Sequence, residues 1–65
     1  MLQSMMDRLM QHGVSKGIIE LVDWLPQNDQ ETVFNDLMNM TPEQIKKLNY
    51  YQAQVRKEID GVLGT

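Results

Sequence analysis

The sequence predicts an all-α fold: a small bundle of four helices, approximately 2–12, 15–25, 29–38 and 42–61, the last much the longest. Three observations carry this. Apolar residues recur at three- and four-residue spacing through most of the chain. No alternating run of β-branched residues lasts more than a few positions, so nothing reads as strand. Glycine, proline and hydroxyl or amide caps fall between the periodic segments, where helices start and stop.

In the first segment Leu2, Met5, Met6, Leu9 and Met10 share one face, and Gly13 stands where a helix usually ends. Ser15 can cap the second helix, whose residues Val14, Ile18, Leu21, Val22 and Leu25 form a stripe. On that reading Ile19 points the other way and Trp24 lies at the edge. Pro26 stops this helix, because the residue before a proline is steered away from helical angles. Asn28 or Asp29 can cap a short third helix carrying Val33, Phe34, Leu37 and Met38, with Glu31 near the positive end of its dipole.

The fourth start signal is the strongest. Thr41 as cap, Pro42 at the first helical position, then Glu43 and Gln44 make a well-formed N-terminus, and Gln44 reaching back to Thr41 would complete a capping box. Ile45, Leu48, Gln52, Val55, Ile59 and Val62 then follow steps of three and four, a heptad seam with one polar member. Tyr51 and Leu63 widen this face and Tyr50 sits opposite. Two arrangements satisfy the seam. Either the shorter helices lie along it, or two copies of the long helix meet in a homodimer through Leu48, Gln52, Val55, Ile59 and Val62.

A chain of 65 residues is expected to be a single helical domain, 1–65. Its stability should be marginal, since a domain this short buries only about 60% of the surface its unfolded form exposes. Such small domains usually add a disulfide, a metal or a second subunit. With no cysteine and one histidine, His12, the first two routes are closed to Cys/His chemistry. Good helix packing or self-association remains. No apolar run approaches a membrane span and the first residues do not read as a signal peptide, so a cytoplasmic location is expected.

The formal net charge of −3 is unevenly distributed. Between Gly17 and Ile45 stand Glu20, Asp23, Asp29, Glu31, Asp36 and Glu43, with no Lys or Arg. After residue 45, Lys46, Lys47, Arg56 and Lys57 outnumber Glu58 and Asp60. These regions can neutralise each other within the fold or between subunits. Alternatively, the acidic middle presents a surface to a basic protein partner, where charge speeds and orients association.

Catalysis is not expected. Nucleophilic chemistry needs an activated side chain beside a base, and His12 near Ser15 lacks a third group to orient it. Gln27 to Glu31 lacks the glycine and spacing of a calcium loop. Gly13 to Gly17 does not meet the phosphate-loop pattern. No cofactor or metal is implied.

Six methionines, Met1, Met5, Met6, Met10, Met38 and Met40, leave the first helix as either core or an adaptable contact surface. The leading expectation is a protein-binding module, an adaptor, assembly factor or inhibitor of a larger complex, in the size class of small regulators carried by phages and other mobile elements. Its candidate contacts are Ile19, Glu20, Asp23, Asp29, Glu31, Asp36 and Tyr50. The alternative is a dimeric helix-turn-helix DNA binder. There Asn39 would take a left-handed turn position, Asn35 an inward one, and Gln44, Lys46, Lys47, Asn49 and Tyr50 would face DNA. The acidic supporting helix and the lack of a basic stripe count against it.

Overall fold

A computed structural model describes residues 1–64, with four helices among them: α1 (Gln3–Gln11), α2 (Lys16–Asp23), α3 (Gln27–Asn39) and α4 (Pro42–Leu63). The fold is the expected all-α bundle with a long last helix. α4 has 22 residues; at about 1.5 Å each it spans about 33 Å. It therefore accounts for most of the 38 Å long axis of the molecule. No helix of the described residues is long and apolar enough to cross a membrane.

Local chemistry explains the boundaries. Gly13 has φ +92°, a backbone conformation that L side chains rarely adopt. This lets its N–H donate to the Met10 carbonyl (3.0 Å) and the Val14 N–H to the Leu9 carbonyl (3.0 Å). Those two bonds are a Schellman stop, and the apolar contact that accompanies it comes from Leu9 and Val14, both buried. A Cβ at Gly13 would meet Ile45 Cγ2 at 3.7 Å, an ordinary contact. The penalty for Gly13→Ala is therefore conformational, expected at about 1–2 kcal/mol, and a urea melt of the variant checks it. A loss under a few tenths would contradict the left-handed assignment.

Ser15 caps α2 through its hydroxyl, which accepts from the Ile18 N–H at 3.4 Å. At the start of α4 the capping box is complete: the Gln44 N–H donates to Thr41 Oγ1 (3.2 Å) and the Thr41 N–H to Gln44 Oε1 (2.8 Å). α3 departs from expectation. It begins at Gln27 directly after Pro26, with Asn28 and Asp29 inside it rather than capping it. The reason lies in Gln30, whose Nε2 donates to the Asp23 and Leu25 carbonyls at 3.0 and 2.9 Å. One side chain of α3 thus satisfies carbonyls at the end of α2, and the connection shortens.

Leu9, Val14, Ile18, Ile19, Val22, Phe34, Leu37 and Ile45 form the buried core, with Met1, Met5, Met6, Val33, Met38, Met40 and Leu48 packed around it. The question over the Met-rich first helix is thereby answered. Met5 and Met6 pack on the core, while Met10 stays exposed. The Arg8 guanidinium stacks over Phe34, 5.2 Å from the ring centroid, tying α1 to α3.

The expected face of α2 holds for Val14, Ile18 and Val22, which are buried, but not for its other members. Ile19, placed on the outer side as a candidate contact, is only 7% exposed, whereas Leu21 is 49% exposed and Leu25 is also exposed. At about 100° per residue, Ile18, Ile19 and Val22 share one arc of the helix, with Gly17, Leu21 and Trp24 on a different one. α2 packs against α1 and α3 as well as α4. The arc facing α1 and α3 forms the core, and the second arc faces α4.

Candidate docking groove between α2 and α4

α4 is joined to the rest of the bundle over its first half. Ile45 is buried, and Leu48, Asn49 and Gln52 are half-buried. The side chain of Asn49 makes the fastening: Oδ1 accepts from the Ser15 N–H at 3.0 Å and Nδ2 donates to the Gly13 carbonyl at 2.8 Å. One amide thereby satisfies a backbone group on each side of the α1–α2 turn. A turn further on, Gln52 lies against Gly17, where an added Cβ would stand 2.6 Å from Gln52 Oε1. The lack of a side chain at Gly17 is what allows this close approach. Because 13–15 meets 49 and 17 meets 52, the two helices run in the same sense here.

Past Gln52 that cover ends. Every residue from Ala53 to Gly64 is exposed. Leu21 and Trp24 on α2, with Val55, Ile59 and Leu63 on α4, become the walls of an open groove of about 550 Å³. Gly17 and Gln52 stand at its closed end, and Glu20, Arg56 and Asp60 also line it. Trp24 is 79% exposed and Ile59 48%. An exposed tryptophan in a lining of this kind is unusual, since large apolar side chains normally find cover. Arg56 Nε and Asp60 Oδ1 are 3.3 Å apart, both well exposed; a surface pair of this type adds little to stability.

The heptad seam therefore divides. Its first members, Ile45, Leu48 and Gln52, are used within the chain; Val55, Ile59 and Val62 are exposed. Tyr51, expected to widen the seam's face, is exposed too, in a T-shaped pair with Tyr50 at 5.5 Å. Among the acids proposed as contacts, Glu20 lines the groove. Asp23 accepts from the Met1 amino group at 2.7 Å. Glu31 lines another pocket with Met1, Leu2, Met5, Gln27 and Gln30. Asp29 and Asp36 are exposed on α3. The structure does not gather these acids into one site.

The DNA-facing set is also divided. Gln44 is held in the capping box and Asn49 in the α1–α2 fastening, which leaves Lys46, Lys47 and Tyr50 exposed without them. Asn39 is helical with Nδ2 on the Asn35 carbonyl, not left-handed, and Asn35 is exposed rather than inward. His12 bonds through Nε2 to the Met40 carbonyl at 2.8 Å, so His12 and Ser15 each serve a separate turn. Among the described residues no three His, Asp or Glu side chains cluster as a metal site would require.

Leu21, Trp24, Arg56 and Asp60 are not among the contact residues expected from the sequence. A signal was present: α2 and its end carry Ile18, Ile19, Leu21, Val22, Trp24 and Leu25, more apolar side chains than one face can bury. No family model, curated protein or solved structure matches the chain at a significant level.

Proposed function

We propose that this chain is a non-catalytic protein-docking module whose α2–α4 groove receives an apolar helix of a protein partner. One observation carries the reading: Leu21, Trp24, Val55 and Ile59 are exposed yet line a single groove. Its volume, about 550 Å³, falls within the range of pockets that hold ligands or anchor side chains. A parallel-walled apolar cleft between two helices suits a helix laid in with anchors at three- and four-residue spacing. Trp24 supplies the large aromatic contact on which such interfaces commonly depend. Roles as adaptor, assembly factor or inhibitor all use such a surface, and the identity of the host complex lies with the partner.

The test uses the only tryptophan as reporter. Amphipathic helical peptides are selected on the protein from a display library at low micromolar concentration. Selected peptides are expected to shift Trp24 emission to the blue and to lose binding to the Ile59→Asp protein. Selection that yields no binder, or binders indifferent to Ile59→Asp, overturns the reading.

A further inference from the structure

Resting on that docking reading, we infer that the groove's occupant is the distal half of α4 from a second copy of the chain, the two copies related by a two-fold axis. α4 is at once a wall of the groove and a projecting helix with an apolar stripe of its own. Val55, Ile59 and Leu63 recur at four-residue spacing on its open side. Crossing two such helices places each stripe in the other's cleft, an isologous contact in which one patch meets itself.

The area agrees with a dimer of modest affinity. Full burial of an aliphatic side chain removes roughly 60–120 Å², by the usual area coefficient, and of an aromatic one roughly 150–250 Å². Leu21, Trp24, Val55, Ile59 and Leu63 are about half to four-fifths exposed. They therefore offer roughly 400 Å² of apolar surface per chain. Two copies contribute roughly 800 Å², and with the polar share of a normal interface the total reaches roughly 1,200–1,400 Å², the lower edge of stable complexes.

Charge is also self-complementary. Glu20 stands on the α2 wall and Arg56 on the α4 wall of one groove. Among the described residues the ion pairs are Met1–Asp23 and Arg56–Asp60, so Glu20 has no cationic partner among them. Exchange of α4 between copies brings Arg56 of one to Glu20 of the other, twice per dimer. Because the Arg56–Asp60 pair is exposed, its rearrangement costs little.

Helix stability points the same way. Residues 53–64 are exposed, and helices of this length without tertiary cover are marginal in water. The β-branched Val55 and Ile59 and the in-helix Gly61 lower the intrinsic propensity further. Pairing supplies the missing cover.

Sedimentation equilibrium of the full chain, from low micromolar to several hundred micromolar, tests the inference. A mass rising from one chain to two is expected, with Ile59→Asp weakening association about 30-fold or more while the bundle formed by residues 3–52 stays folded. Glu20→Arg and Arg56→Glu should each weaken the dimer, and the double variant should regain it. A single-chain mass for the wild type throughout, or a dimer untouched by Ile59→Asp, overturns the inference. If the wild type stays single but selected peptides still shift Trp24 emission, self-association is refuted and the docking reading stands. If neither occurs, both fall.

Discussion

Replacing Ile45 by alanine is expected to cost about 2–5 kcal/mol, the range for removing most of a buried aliphatic side chain from a core. Ile45 is 2% exposed, and it is the buried residue that α4 contributes. Its Cγ2 lies beside Gly13, so the side chain closes the core against the α1–α2 turn. A domain of this length has a total stability of roughly 3–10 kcal/mol. Losing Ile45 should therefore remove a large share of the total stability at 25 °C. Urea denaturation followed by circular dichroism measures it. A midpoint shift worth under 1 kcal/mol would mean that α4 is not anchored where the structure places it.

Asn49→Ala is expected to cost about 1–3 kcal/mol despite removing no apolar surface of note. It strips a partner from the Ser15 N–H and from the Gly13 carbonyl together, at a half-buried junction. Asn49→Asp separates the two bonds. The carboxylate can still accept from the Ser15 N–H but cannot donate to the Gly13 carbonyl, so it too should destabilise. Equal stability of wild type and both variants would remove Asn49 from the account of how α4 is held. A lysine or tyrosine on the open face, such as Lys47 or Tyr50, should by comparison be replaceable within about 0.5 kcal/mol.

How well the sequence could be read depended on the range of the interaction that decided each feature. Stops and starts set by neighbours a few residues apart were legible. Gly13 ends α1, Ser15 starts α2, and Thr41 with Gln44 starts α4, because each device closes a bond within one turn. The start of α3 was not, since it is set by Gln30 reaching back across the turn to α2. Periodicity found the apolar residues of α2 but not which of them would be inside. Two arcs were available, and the choice of Ile18, Ile19 and Val22 is made by α1 and α3. Likewise an unbroken heptad seam gave no sign that its cover ends after Gln52. Beyond Gln52 the α2 residues Glu20, Leu21 and Trp24 line the far wall of the groove and do not cover Val55, Ile59 and Leu63. The groove opens beyond the close approach of Gly17 and Gln52, with α2 and α4 as its two walls.

Amide hydrogen exchange along α4 tests this picture most directly, followed residue by residue at low and at high protein concentration. Residues 45–52 should be protected in both conditions. Residues 55–63 should exchange quickly when dilute and become protected as the groove fills, together with residues 20–24 of α2. Protection that is uniform along α4 and independent of concentration would contradict an open groove in the single chain and its filling by association.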